Sequence, residues 1–345
     1  MLRALLLADT HLGFDYPLKP RIRMRRRGVD FFRNFHLALE PALQGKVDMV
    51  VHGGDLFTRS RVPEALAERA MEPLKQAADS GVPVFLVPGN HERSKIPLHL
   101  WSVHPNLFIF RKPHTFRFEK DGVSVALSGF PFARKVGDKF GDLVQSTGYK
   151  DEQASVHLLC LHQAVEGAKV GPVDYTFKGG PDVIRGSDIP GGFAALLSGH
   201  IHRAQRLTRD LKGVELAAPV IYAGSVERTA FAERYETKGY MLLEFTAGDC
   251  GGRLERVEFV KLPARPMVVL ELDSYKHGTE QLLERLRSRL IDLDPDSVVR
   301  IRILDGGNSH LRQQLTAAYL RHITPAGMNV SVARIGTGEK PRNGR

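Results

Sequence analysis

Ala4-Leu5-Leu6-Leu7-Ala8-Asp9-Thr10-His11 opens the chain with a buried-strand run that stops on two metal-ligand residues. The pattern recurs four times. Val47–His52 leads into Gly53-Gly54-Asp55, Val84–Val87 into Gly89-Asn90-His91-Glu92, His157–Leu161 into His162, and Ala194–Leu197 towards Gly199-His200-Ile201-His202. Strands of one parallel sheet end at one edge, so ligands at five such ends can converge on one point.

Helix-compatible stretches separate the first three runs. Met24–Leu43 carries Phe31, Phe32, Phe35 and Leu39 on one side, and Pro63 suits the first position of a helix reaching Ala78. This βαβαβ order predicts right-handed crossovers and a parallel sheet. From Leu107 onward the pattern changes to short strands: Leu107–Phe110, Thr115–Phe118, Val123–Phe130, His157–Leu161, Ala194–Leu197, Val220–Tyr222 and Gly239–Phe245. They are assigned to a second, mixed or antiparallel sheet packed on the first. The polar, glycine-bearing stretches Arg134–Lys150 and Gly167–Gly192 are expected to be loops.

After Ala264-Arg265-Pro266 a second βαβαβ unit is expected: Met267–Leu272, Thr279–Ile291, Val298–Leu304, His310–His322 and Met328–Ile335. The organisation read from these patterns is an α/β domain over 1–262, a small α+β domain over 266–335 and a disordered tail over 336–345. No internal repeat is evident.

Composition narrows the class. The chain has 345 residues, 42% hydrophobic and 26% charged, as in ordinary globular proteins. No stretch approaches the ~18 uninterrupted apolar residues of a membrane helix. Met1–Leu7 runs into Asp9 without a small-residue cleavage site and is read as a core strand rather than a signal peptide. Cys160 and Cys250, the only cysteines, form no disulfide framework or zinc-thiolate spacing, so a cytoplasmic location is expected. The net charge of +10 suits a polyanionic partner. Arg25, Arg26 and Arg27 close a basic cluster behind the first motif, and Arg203 and Arg206 follow the last. Two readings stay open for them: a solvated face, or a positive rim that holds a phosphate backbone.

The candidate ligands are Asp9, His11, Asp55, Asn90, His162, His200 and His202. Seven nitrogen and oxygen donors are too many for one tetrahedral ion, and without thiolates they suit Mn²⁺, Fe or Zn²⁺. They fit two adjacent ions if one carboxylate bridges. Such a pair can clamp the attacking and leaving oxygens of a displacement at phosphorus and acidify a water. A lone Asp-x-His or His-x-His carries no weight. The ordered set, each member on a strand end, does.

That set resembles the calcineurin-like metallophosphoesterases. Ala8-Asp9-Thr10-His11-Leu12-Gly13, Gly53-Gly54-Asp55-Leu56-Phe57, Tyr222-Ala223-Gly224-Ser225-Val226-Glu227-Arg228-Thr229-Ala230-Phe231 and Lys238-Gly239-Tyr240 narrow the likeness. It points to the SbcD-type DNA-repair exonucleases, the nuclease subunit of the SbcCD complex and its archaeal and eukaryotic counterparts. The resemblance covers about 1–262 and, more loosely, a C-terminal unit similar to that family's capping domain. It implies a two-sheet metallophosphoesterase sandwich flanked by helices. It also implies Asp9, His11, Asp55 and His202 around one ion, and Asp55, Asn90, His162 and His200 around the other. His91 would stand by the leaving oxygen as proton donor or transition-state stabiliser. The implied reaction is Mn²⁺-dependent phosphodiester hydrolysis: exonuclease action on DNA ends and endonuclease action on single strands or hairpins.

Homodimerisation, through helices after Pro63 and Arg93, and an SMC-like ATPase partner are further family traits. Two departures stand out. Thr58 occupies a place where archaeal and eukaryotic members usually have a His near the substrate phosphate, and a helical partner-gripping segment after the capping-like unit is not expected. The competing readings are a phosphodiesterase or phosphatase of the same superfamily acting on small phosphoesters or phosphoproteins, and a non-catalytic DNA-binding subunit.

Overall fold

In the computed structural model, which describes residues 1–15, 26–92, 104–304 and 309–333, the opening run becomes a central strand. This strand β1 (Leu2–Leu7) pairs in parallel with β2 (Met49–His52), which continues to β3 (Val84–Leu86) and β4 (Leu107–Ile109). Helices α1 (Gly28–Leu43) and α2 (Glu64–Asp79) make the crossovers. Phe31, Phe35, Ala38, Leu39 and Ala42 of α1 and Ala67, Met71 and Leu74 of α2 bury against Leu5, Leu7, Val50 and Leu86. The apolar residues fall three and four apart, which gives each helix one core-facing side. The opposite faces of the same strands, Ala4, Leu6, Met49, Val51 and Phe85, bury against the second sheet. Both faces are therefore covered, which is why these strands read as continuous apolar runs.

The second sheet runs Gln205–Arg209, Glu215–Tyr222, Ala195–Gly199, β7 (Val156–His162), β6 (Val123–Gly129) and β5 (His114–Lys120). Its four inner strands are parallel and its two edges antiparallel. Two expectations need correcting here. Leu107–Ile109 and Gly239–Thr246 lie in the first sheet, the latter antiparallel to β1 and followed by Arg253–Lys261. Apolar alternation identifies a strand but not its neighbour. The ligand runs also do not share one sheet: three end in the first and two in the second. Register still aligns them, since Leu7 pairs with His52, His52 with Leu86, and His162 with Gly199.

Arg134–Lys150 is not all loop. Phe140–Gln145 forms helix α3, with Phe140 and Val144 buried four residues apart in the core outside the second sheet. Within 167–192, Lys169–Val170 pairs with Tyr175–Thr176, and Val183–Ile184 pairs with Ala164–Val165 just before that stretch.

The described residues from 265 to 333 form a compact unit of their own. Three parallel strands, Met267–Asp273, Val298–Leu304 and Asn329–Val332, carry a core of Leu270, Leu272, Leu282, Leu286, Val299 and Ile301 with the helix Thr279–Ile291. The single helix expected over His310–His322 is two, Ser309–Gln314 and Ala317–His322. Thr316 interrupts it, because its hydroxyl accepts the Tyr319 backbone N–H and caps the second piece. No helix among the described residues is long and apolar enough to cross a membrane. The expected disordered tail and the helix after Arg93 fall outside the described residues.

Candidate metal centre

Three of the five strand ends turn abruptly to present their donors. Asp9, His11, Asp55 and His200 have left-handed backbones, with φ of 50°, 45°, 54° and 82°. Non-glycine residues rarely adopt this region, and it costs roughly 1–3 kcal/mol each unless the surroundings enforce it. Here backbone hydrogen bonds enforce it: Asp9 N donates to Gly54 O at 2.9 Å and His11 N to Asp55 O at 3.0 Å. His200 N donates to both Asp9 oxygens at 3.1 Å. Two glycines allow the close approach. A Cβ on Gly199 would strike the Gly53 carbonyl, and one on Gly54, at φ 104°, would strike the His162 ring.

The seven sequence-nominated donors come together. Asp55 Oδ2 is 3.4 Å from His162 Nε2, 3.8 Å from His91 Nε2 and 3.9 Å from His11 Nε2. His11 Nε2 and His202 Nε2 lie 3.0 Å apart, with Asp9 Oδ1 3.8 Å from the latter. Asn90 Oδ1 sits 3.0 Å from both His162 Nε2 and His200 Nδ1. Among the described residues, three overlapping donor groups could hold an ion: Asp9, His11 and His202; His11, Asp55 and His91; and Asp9, Asp55 and His162. Asp9, His11, Asp55 and His162 are buried.

The donor chemistry fits divalent cations. His162 Nδ1 faces the Gly53 carbonyl at 2.7 Å and His202 Nδ1 faces Glu233 Oε1 at 3.1 Å. An acceptor at the outer nitrogen fixes the proton there and turns the lone pair of Nε2 inward. Burial alone would raise the Asp55 carboxyl, but the His162 and His11 rings hold it well below the usual range. Burial pushes His11 and His200 down to about 3, helped by the neighbouring imidazoles. Both are neutral donors at physiological pH.

His162 is the opposite case. Burial disfavours its charge, yet the Asp55 carboxylate outweighs burial and holds the ring up to about 9. His202 is also raised, against burial, by Glu233 and Asp9. A cation must displace those protons, so its affinity increases with pH. Between about pH 6.5 and 8.5 the Mn²⁺ Kd is expected to fall by up to roughly tenfold per unit for each displaced proton. Calorimetry in buffers of different ionisation enthalpy counts the protons. A pH-independent Kd would place both rings outside the ion's coordination.

His91 stands apart. Its side chain is 42% exposed, while that of Asp55 is 2% exposed. Its backbone N–H donates to Asp55 Oδ1 at 2.9 Å, and its Nδ1 meets the Thr58 carbonyl at 2.8 Å. Thr58 thus touches His91 through its backbone carbonyl.

The described arginines of the two clusters have different surroundings. Arg203 pairs with Asp174 at 2.5 Å and Glu236 at 3.4 Å and donates to the Gly171 carbonyl. Arg27 donates from its backbone to Asp15 and from its guanidinium to the Arg228 carbonyl, over the Phe14 ring. Arg26 is half-buried, Arg206 is exposed on Gln205–Arg209, and Arg25 lies outside the described residues.

Four supporting residues escaped the sequence reading. Glu92 is buried and accepts the N–H groups of Phe57 at 2.6 Å and Gly89 at 2.8 Å, tying the Asp55 loop to the Asn90 loop. Burial and the Asp55 charge push its carboxyl up to about 8. His52 Nδ1 accepts the Gly54 N–H at 3.2 Å while its Nε2 faces Thr10 Oγ1 at 3.0 Å. Glu233 and Lys238 brace His202. For Glu92, adjacency to Asn90-His91 was a usable signal. His52, next to Gly53-Gly54-Asp55, and Lys238, within Lys238-Gly239-Tyr240, offered the same kind of signal; Glu233 offered none.

Residues 2–204 match the calcineurin-like phosphoesterase family. The chain is similar to DNA double-strand break repair proteins Mre11 of three archaea. It is 27% identical over 285 residues to that of Saccharolobus solfataricus (79% of this chain), and 27% over 300 residues to that of Methanopyrus kandleri (81%). With that of Methanocaldococcus jannaschii it shares 26% over 296 residues (82%). It spans 67%, 61% and 73% of those relatives' lengths in turn.

Proposed function

The chain belongs to the calcineurin-like phosphoesterase family, and from that membership we propose that it is a divalent-metal-dependent nuclease acting on DNA in repair or end processing. The observation that carries this reading is the central place of Asp55, whose Oδ2 lies within 3.9 Å of ring nitrogens of His11, His91 and His162. One carboxylate so placed serves two adjacent ion positions. Asp9, His11, Asp55 and His202 would hold one ion, and Asp55, Asn90, His162 and His200 the other; the oxygen and nitrogen set suits Mn²⁺, Fe or Zn²⁺, and the resemblance to the SbcD-type nucleases makes Mn²⁺ the first choice. When bound, two such ions neutralise phosphoryl oxygens and acidify water.

The protein's own groups supply the rest. His91 is at the solvent-facing side, its Nδ1 engaged by Thr58 O, so its Nε2 is available to carry a proton to the leaving oxygen. The exposed Arg206 is a candidate contact to a phosphate backbone. DNA as substrate is supported by the kinship with DNA double-strand break repair proteins.

The test is cleavage of double-stranded, single-stranded and hairpin DNA with Mn²⁺, beside a bis-aryl phosphodiester. Metal-dependent DNA degradation is expected. Hydrolysis of the small ester with intact DNA would make the chain a small-molecule phosphodiesterase instead.

A further inference from the structure

Lys238 is 1% exposed. An ammonium taken out of water is tolerated when its protons are met by acceptors. Its Nζ lies 2.8 Å from Glu233 Oε2 and 2.9 Å from Glu236 Oε2, and it donates to the His202 carbonyl at 3.0 Å. Glu233 is held in turn: its Oε1 accepts the Thr229 hydroxyl at 2.6 Å and its Oε2 the Thr229 N–H at 3.3 Å. The same Oε1 faces His202 Nδ1 at 3.1 Å. One buried ion pair therefore grips His202 at its backbone carbonyl and at its outer ring nitrogen.

The other half of the centre is built differently. His162 is oriented through Nδ1 by a neutral backbone carbonyl, that of Gly53. A carboxylate acceptor makes an imidazole a stronger donor than a carbonyl does, and such partners alter metal affinity about 10–100-fold. We propose that Glu233, with Lys238 as its counter-charge, is a positioning residue that strengthens only the ion position formed by Asp9, His11 and His202. The inference rests on the two-ion reading given above. A purely structural ion pair would change the melting temperature and leave both ion affinities alone.

The experiment is calorimetric titration of the full chain with Mn²⁺, with bound ions counted by elemental analysis. The unaltered protein should bind two. Glu233→Gln keeps the shape and an acceptor oxygen but removes the charge. One of its two ions should bind about 10–100-fold more weakly and the other as before. Should that variant not fold, Thr229→Val loosens Glu233 while keeping its charge, and a few-fold loss confined to one ion is expected. Unchanged affinities, or equal weakening of both ions, would overturn the inference. If the unaltered chain binds no Mn²⁺, the two-ion reading itself fails.

Discussion

Asp55→Asn should strip the centre of both ions and lower phosphodiester hydrolysis roughly 1,000-fold or more. The amide keeps the size of the side chain and an oxygen for the His91 N–H, now at 2.9 Å. The loss is therefore of charge rather than of shape. That charge stands 3.4 Å from His162 Nε2 and 3.9 Å from His11 Nε2, one on each side of the proposed pair. A bridging ligand belongs to both ions, so its neutralisation weakens both, and a two-ion clamp contributes several kcal/mol to the barrier. At 1.36 kcal/mol per tenfold that is about three orders of magnitude. Elemental analysis and turnover check the result together. Full retention of two ions would show that Asp55 does not bridge.

His91→Leu is expected to separate binding from turnover. Two Mn²⁺ should remain, with affinities near those of the unaltered protein, while hydrolysis falls about 100- to 10,000-fold, the range for a lost general acid. The ring is 42% exposed and its N–H to Asp55 is a backbone group, so leucine removes the ring's contacts with the Thr58 carbonyl and Asp55 Oδ2 but keeps the backbone hydrogen bond. His91 also belongs to a donor group with His11 and Asp55. Loss of an ion in the variant would make it a ligand and leave the proton to water. A DNA substrate with an activated leaving group should recover most of the variant's rate if His91 acts as an acid.

Much of this site was legible because ligands at strand ends leave a local signature: an apolar run, then Gly, Asp, Asn or His. Asp9, Asp55 and Asn90 follow β1, β2 and β3 as those runs foretold. Pairing was not legible, since the apolar alternation of Gly239–Thr246 says nothing about its lying beside β1. Neither was the helix at Phe140–Gln145, where two buried residues four apart sit in an otherwise polar stretch. The supporting charges were hidden for a different reason. Lys238 and Glu233 have the composition of a solvated surface, and only the fold reveals that they neutralise one another beneath His202. Thr316 carried a usable signal, because a threonine inside a helical pattern is as good a cap as a helix residue.

The left-handed turns at Asp9, His11, Asp55 and His200 bear on how far this protein can be engineered for heat resistance. Glycine at any of the four would relax the backbone, and a redesign scored on fold stability alone would favour it. Each such change deletes a donor. Gains in melting temperature must therefore come from elsewhere in the chain, and variants selected for ruggedness without selection for activity should lose these four side chains first.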